Sequence, residues 1–188
     1  MRPGDPRSDD TVGQLLPGVE ARIVKADGTV AGDGDVGELH VRGPNVMLGY
    51  YKAPDLTAAA LSTDRWFASG DLARFNGPDL YIVGRAKEMI IRSGFNVYPA
   101  EIEAVLSSHP SVVQSAVVGR AVEGNEEIIA FVQLLPGTKA TVDDIAAFAI
   151  PLLTAYKRPS RIVALETFPA GSTGKILKHV LKEQAKSL

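Results

Sequence analysis

The sequence contains no cysteine, and its three histidines, His40, His109 and His179, are far apart. Without cysteine, disulfide bonds and thiolate metal sites are excluded. The histidines also lack the short spacing of paired metal ligands on one helix. We therefore predict neither a disulfide scaffold nor a metal site in this chain.

Long apolar segments and an excess of charge of either sign are also missing. No apolar run approaches the roughly 18 residues that a membrane-spanning helix needs. The 20 basic and 22 acidic residues give a net charge of −2, which does not favour general binding to nucleic acid or to an anionic membrane. The first residues do not resemble a signal peptide. We therefore expect no nucleic-acid partner, no membrane span and a cytoplasmic location.

The chain has 188 residues, 45% of them hydrophobic, which is enough for one domain or two small ones. Residues before Gly84 are rich in glycine and alternate in polarity as strands do. Strands are predicted at 19–25, 36–42, 72–75 and 80–83, and a short helix at 54–61. This pattern predicts a small antiparallel β-barrel-like subdomain.

After Gly84 the pattern changes to strands that alternate with helices. Strands are predicted at 87–92, 112–119, 128–134 and 162–168. Helices are predicted at 99–108, after a capping box formed by Thr141 and Asp144, and at 175–186. The predicted fold class is therefore α+β, with the β-barrel-like subdomain followed by a compact α+β C-terminal domain.

Two polar residues that follow glycines are candidates for ligand binding. Asp71 follows Gly70, and a carboxylate at such a position can accept hydrogen bonds from a vicinal diol such as that of ribose. The alternative is an aspartate that bonds its own backbone in a turn, and spacing alone favours that alternative. Arg85 follows Gly84 and could contact a ribose or phosphate, or could be a solvated charge at the domain edge.

Two glycine-containing loops are further candidates. Gly94-Phe95-Asn96 allows close approach of backbone to a ligand, although it could equally be an ordinary connector. The segment 171–175 reads Gly-Ser-Thr-Gly-Lys before a predicted helix, a composition that can bind phosphate through backbone N–H groups. It does not have the spacing of a Walker A motif, and a flexible helix start with a solvated Lys175 is the alternative. Lys178 and Lys182 are predicted to be solvated.

Taken in order, these segments match one family. The chain resembles the C-terminal part of the acyl-adenylate-forming enzymes, which include the AMP-forming acyl-CoA synthetases, or fatty-acid–CoA ligases. The resemblance runs from about residue 12 to residue 185. The matching blocks lie at 37–44, 49–51, 66–71, 84–91, 94–103, 156–159 and 169–176. Two departures are mild: Ser69 replaces the usual threonine, and Ala170 stands where a basic residue is common.

The resemblance implies a role for each candidate residue. It implies that Asp71 holds the ribose hydroxyls of ATP and that Arg85 contacts ribose and phosphate. It implies that Lys87 is the hinge about which the C-terminal domain turns between half-reactions. Lys175 would bridge the α-phosphate and the acyl carboxylate during adenylation. The loop of Gly94, with Phe95 and Asn96, would border the pantetheine path of CoA.

The resemblance also implies the domain organisation and the substrates. Residues 1–84 would form the end of the large N-terminal domain, 85–88 the hinge, and 89–188 the mobile C-terminal lid domain. The parent enzyme would use ATP, Mg²⁺ and CoA to convert a carboxylic acid, fatty or aromatic, into its CoA thioester.

The family's phosphate loop, its adenine- and Mg²⁺-binding segment and its acid pocket do not occur in these 188 residues. We therefore expect a fragment that is inactive by itself and that works with the missing N-terminal domain. Two alternatives remain: an adenylation domain that loads a carrier-protein thiol, and a non-catalytic interaction module. The joint presence of Asp71, Arg85 and Lys175 favours a catalytic origin over the module.

Overall fold

The computed structural model describes residues 10–188, and the chain divides into two compact units, Met1–Lys87 and Glu88–Leu188. The first is called the N-terminal unit and the second the C-terminal unit. The boundary falls within the predicted hinge at 85–88, and motion about it stays a prediction.

The N-terminal unit contains one antiparallel sheet. Its strands, in spatial order, are β1 (Glu20–Val24), β2 (Gly37–Arg42), β3 (Phe67–Asn76) and β4 (Asp79–Arg85). The short helix α1 (Pro54–Ala60) begins at a proline and connects β2 to β3. Alternate residues of the strands point inward, and Ile23, Leu39, Ala73 and Leu80 form the core.

The sheet of the N-terminal unit is open. β1 and β4 are its two edges, and in residues 10–87 the two edges do not pair with each other. The barrel-like arrangement predicted from the sequence is therefore not confirmed, and the described residues contain no closed barrel. The hairpin pattern predicts neighbouring strands, but closure depends on pairing between the first and last strands, which no local pattern specifies.

The C-terminal unit follows a 3-10 turn at Ala86–Glu88. Its strands are β5 (Ile90–Arg92), β6 (Phe95–Val97), β7 (Val112–Val122), β8 (Asn125–Leu134) and β9 (Arg161–Ala164). Its helices are α2 (Pro99–Ser107), α3 (Val142–Ala149) and α4 (Lys178–Lys186), with a 3-10 turn at Ala155–Lys157. β5 and β6 form a separate hairpin.

The C-terminal unit has three layers around the sheet β7-β8-β9. The central strand β8 runs antiparallel to β7 and parallel to β9. Its side chains alternate between two cores, because successive residues of a strand face opposite sides. Ile128, Ala130 and Val132 pack with α2 and α3, whereas Ile129 and Phe131 pack with α4. The α+β fold class is therefore confirmed.

Several predicted boundaries differ in the structure. The last helix begins at Lys178 rather than residue 175, and the strand predicted at 87–92 is a 3-10 turn followed by three residues of β5. The capping box before α3 is confirmed: the Thr141 hydroxyl accepts the Asp144 N–H at 3.3 Å and the Asp144 carboxylate accepts the Thr141 N–H at 2.8 Å. Within residues 10–188, no helix has the length and apolar content needed to cross a membrane.

Candidate functional site

Asp71 and Arg85 face each other across two strands of the N-terminal unit. Asp71 on β3 and Arg85 at the end of β4 are cross-strand partners in the antiparallel register. The Arg85 Nε lies 2.7 Å from Asp71 Oδ1, while 28% of the aspartate and 46% of the arginine side chain remain exposed. The pair is thus oriented by a charge-assisted hydrogen bond and remains accessible to a ligand.

The backbone before Asp71 is held in an irregular conformation. Gly70 has a φ of 73°, in the left-handed region that glycine adopts without a steric cost. Its N–H donates to the Glu38 carboxylate at 3.0 Å. The Ser69 hydroxyl donates to the Leu39 carbonyl at 2.8 Å and accepts the Asp71 N–H at 3.1 Å. Asp71 therefore lies inside β3, whereas the sequence predicted a strand only from residue 72.

Lys175 lies on a small hairpin in the C-terminal unit. Ala170 and Ile176 form an antiparallel bridge, and the Gly171 N–H donates to the Lys175 carbonyl at 2.9 Å. Gly174 takes a left-handed φ of 77° to close the turn. Lys175 is exposed. Because α4 begins only at Lys178, the loop does not open a helix as the sequence predicted.

Lys178, predicted to be solvated, is instead half-buried between two carboxylates. Its Nζ lies 2.7 Å from Glu88 and 2.8 Å from Glu103, and only 23% of its side chain is exposed. Burial lowers the pKa of the Lys178 ammonium, but hydrogen bonds to Glu103 and Glu88 outweigh that and raise the pKa above the ordinary lysine value. Glu103 also accepts the Val117 N–H at 2.7 Å. This ionic cluster joins the start of the C-terminal unit to α2 and α4.

The Gly94 loop is a two-residue turn between β5 and β6. Arg92 pairs with Phe95, and the two turn residues Ser93 and Gly94 have φ values of 52° and 80°. Positive φ at both central positions is typical of tight hairpins. The Phe95 ring stacks on Tyr156 with centroids 4.5 Å apart. The turn and Phe95 are exposed.

The remaining predicted site residues are also accounted for. Asn96 lies on β6 opposite Ile91 and is exposed. Lys87 is an exposed residue of the 3-10 turn at the unit boundary.

In residues 10–188 no group of three or more His, Asp or Glu side chains could hold a metal ion. Sequence reasoning missed Glu38 and Lys178 because their partners depend on long-range packing.

Two family models match the chain on either side of the segment that carries Asp71 and Arg85. The model described as AMP-binding enzyme matches residues 1–51, and the model described as AMP-binding enzyme C-terminal domain matches residues 101–175. Residues 1–51 and 101–175 therefore match domains of AMP-binding enzymes. The second match includes Lys175 at its last position, and the resemblance inferred from sequence blocks is thereby confirmed.

Curated relatives match nearly the whole chain. It is 42% identical over 178 residues to the medium-chain acyl-CoA ligase ACSF2, mitochondrial, of Homo sapiens, covering 93% of this chain and 29% of that protein. It is 38% identical to 3-[(3aS,4S,7aS)-7a-methyl-1,5-dioxo-octahydro-1H-inden-4-yl]propanoyl:CoA ligase of Rhodococcus jostii, covering 94% of this chain and 33% of the relative. The chain thus spans about a third of the length of these relatives.

Solved structures share the fold. ATP-bound MatB from Rhodopseudomonas palustris superposes with a TM-score of 0.86 at 34% identity, covering 94% of this chain and 36% of that protein. The amide bond synthetase McbA from Marinactinospora thermotolerans has a TM-score of 0.84 at 31% identity, and the match covers 94% of this chain and 36% of McbA. The similarity again covers about a third of each relative.

Proposed function

We propose that this chain is the C-terminal part of an AMP-forming acyl-CoA ligase, an acid–thiol ligase that adenylates a carboxylic acid and transfers the acyl group to CoA. The observation that carries the proposal is the 42% identity to a medium-chain acyl-CoA ligase across 93% of the chain. The paired Asp71 and Arg85 and the exposed Lys175 supply side chains that this chemistry needs.

Asp71 and Arg85 are assigned to the nucleotide. A carboxylate that remains partly exposed while one oxygen is held by an arginine can accept hydrogen bonds from the two ribose hydroxyls of ATP. Arg85 contributes both the orientation of Asp71 and a positive charge near the phosphates. Glu38 supports the pair indirectly, because its carboxylate holds the Gly70 N–H directly before Asp71.

Lys175 is assigned to adenylation. Attack of the substrate carboxylate on the α-phosphate brings two anionic groups together, and the Lys175 ammonium would offset that charge in the transition state. Its place on a short hairpin with Gly174 lets the side chain extend from a defined backbone. The N-terminal field of α4 adds little to this role, because the helix starts three residues later.

The second half-reaction is assigned to the Gly94 loop. Gly94, Phe95 and Asn96 are exposed on one hairpin and would border the pantetheine of CoA when the C-terminal unit presents that face. Lys87 would be the hinge for this exchange of faces, consistent with its place in an exposed 3-10 turn. Mg²⁺ would enter with ATP, and we assign it no ligand in this chain.

CoA is the proposed acceptor because the curated relatives described above are named as CoA ligases. The fold alone does not fix the acceptor, since one solved relative is named as an amide bond synthetase. The acid could be fatty or aromatic, and a medium-chain acid is the first candidate because of the ACSF2 name. A cytoplasmic location stays a prediction, as the ACSF2 relatives are named as mitochondrial.

A chimaeric ligase tests the proposal. The segment of human ACSF2 that aligns with this chain would be replaced by the chain itself, and acyl-CoA formation measured with ATP, Mg²⁺, CoA and octanoate. We expect activity from the chimaera. A folded chimaera that forms neither acyl-AMP nor acyl-CoA with a panel of fatty and aromatic acids would contradict the proposed function.

Substitution of Lys175 in the same chimaera tests its role. Lys175→Ala should slow adenylation by about 10²–10³-fold, the usual cost of losing one transition-state donor. Thioester formation from synthetic acyl-AMP should be largely retained, because that step does not bring the carboxylate to the α-phosphate. Lys182→Ala, on the following helix α4, is the matched control and should change neither step. An equal loss in both half-reactions would show that Lys175 is structural.

A further inference from the structure

Two side chains of β8 accept backbone N–H groups of the β5–β6 hairpin, whose Ile90 and Val97 are buried in the core of the C-terminal unit. The Glu126 carboxylate accepts the Ile91 N–H at 2.6 Å, and the Asn125 Oδ1 accepts the Ser93 N–H at 2.7 Å. Within residues 10–188, β5 pairs through its backbone with β6 alone, so the N–H groups of its other edge need partners from elsewhere. Adjacent residues at the start of β8 provide them.

Ser93 is the residue that most needs such support. Its φ of 52° is left-handed, a conformation that costs an L-residue with a Cβ atom free energy and that serine adopts rarely. The Asn125 amide contacts Ser93 twice, because its Nδ2 also lies 3.4 Å from the Ser93 hydroxyl. Asn125 therefore holds the strained residue next to Gly94 by both its backbone and its side chain.

Gly119 leaves space for the hydrogen bond between the Glu126 carboxylate and the Ile91 N–H. A Cβ atom at Gly119 would lie 3.0 Å from Glu126 Oε1 and 3.2 Å from the Ile90 side chain, closer than most real Cβ contacts. Gly119 does not have a positive φ, so its backbone conformation does not require glycine. The absence of a side chain at this position thus lets the Glu126 carboxylate reach the Ile91 N–H.

We propose that Asn125 and Glu126 are positioning residues that form a clamp on the Ser93-Gly94 turn. The clamp fixes the turn in its left-handed conformation and keeps Phe95 against Tyr156. The consequence for catalysis rests on the proposed function, in which this turn borders the pantetheine of CoA. The clamp itself rests only on contacts within the C-terminal unit.

Amide exchange in the 188-residue chain, followed by NMR, tests each half of the clamp. Asn125→Ala should raise the exchange rate of the Ser93 amide about tenfold, and Glu126→Ala should do the same for Ile91, because each loses one hydrogen bond. Glu126→Gln keeps an oxygen acceptor and should raise the rate at Ile91 only about threefold. The Ile129 amide in the core should not change, which separates a local effect from loss of stability.

A rescue experiment tests the reason for the Asn125 contact. Asn125→Ala should weaken the nuclear Overhauser contact between the Phe95 and Tyr156 rings, since the turn relaxes. Adding Ser93→Gly should restore that contact, because glycine adopts a positive φ without a steric cost. Glu123→Ala, an exposed change in the adjacent β7–β8 turn, is the matched control and should leave the ring contact unchanged.

Two outcomes would overturn the clamp. One is an unchanged Ser93 exchange rate and ring contact in Asn125→Ala. The other is a ring contact that Ser93→Gly fails to restore, because Asn125 would then act by a route other than the left-handed turn.

A titration with CoA separates this result from the proposed function. If the wild-type amides of residues 94–96 do not respond to CoA, the assigned CoA path fails, while the exchange and rescue data still decide the clamp.

Discussion

At the scale of single residues, Lys178 is a lysine whose structural role cannot be predicted from its position in the sequence. It follows Lys175 by three positions and resembles any helical lysine, yet it bridges Glu88 and Glu103. The two carboxylates lie far from it in the sequence, so only the packing of α4 against the sheet brings them together. The cluster fixes Glu88, the first residue of the C-terminal unit, to the same helix that follows the Lys175 hairpin.

We predict that Lys178→Met destabilises the C-terminal unit by about 2 kcal/mol, between the values for exposed and for buried ion pairs. The cause is the pair of carboxylates left without a cation. The measurement is native-state hydrogen exchange at core amides such as that of Leu181. Lys186→Met removes an exposed pair with Glu183 and is the control, with little change expected. Equal effects of both substitutions would contradict the role of burial.

The pH dependence of this contribution follows from the raised pKa of Lys178. A pKa raised by folding stabilises the protonated, folded state. The contribution should be constant across neutral pH and fully present below the ordinary lysine pKa of about 10.4, then fall as pH rises through the higher folded-state value. Between pH 7 and pH 11, the difference in unfolding free energy between wild type and Lys178→Met should shrink only toward the alkaline end.

At the scale of elements, α3 is a helix whose start the sequence predicts through its capping residues. Thr141 and Asp144 exchange hydrogen bonds between side chain and backbone, so two N–H groups of the first turn are satisfied locally. The hydrogen bond from the Thr141 backbone N–H, with one from its hydroxyl, lowers the pKa of Asp144. That contribution is present above the ordinary aspartate pKa of about 3.9 and is lost as pH falls through the lower folded-state value.

Thr141→Ala should destabilise the C-terminal unit by about 1 kcal/mol, because it removes the oxygen that caps the helix. Hydrogen exchange at the Asp144 and Ile145 amides reports the change. Thr154→Ala is the matched control: Thr154 also precedes a helical turn, but its side chain makes no capping hydrogen bond. A comparable loss in both variants would mean that Thr141 acts otherwise than as a cap.

The sequence predicts the elements that show hydrophobic periodicity along the chain, but not the features that depend on the register between strands. The helix α2 and the long strands β7 and β8 have clear periodicity. β5 fills only the second half of the strand predicted at 87–92 and β6 was not predicted, because three residues are too few to show a pattern. The positions of Asp71 and Arg85 after glycines marked them as candidates. Their pairing, however, depends on the β3–β4 register and on the irregularity between Leu72 and Ala73, which the sequence does not specify.

At the scale of the whole molecule, the chain spans about a third of its relatives. The 188 residues carry Asp71, Arg85 and Lys175, and in the proposed function the loop for the triphosphate and the acid pocket belong to the N-terminal domain of the parent enzyme. We predict that the purified chain releases no pyrophosphate above background with ATP and a panel of acids, because positioning and charge stabilisation supply most of the rate in such reactions. Clear turnover by these residues alone would contradict the proposed division of the site.

The proposed hinge gives a second prediction for the whole molecule, which limited trypsin digestion can test. A protease must open several residues around a cut. Ala86 and Lys87 are exposed, whereas Glu88 is held by the ionic cluster with Lys178, so opening the chain before Glu88 should cost little free energy. Among sites in residues 10–188, Arg85 and Lys87 should be cut first, leaving the two units as stable fragments. The exposed Lys52, in a turn within the N-terminal unit, is the internal control. Earlier cutting at Lys52, or resistance at 85–87, would argue for a rigid connection and against Lys87 as the hinge.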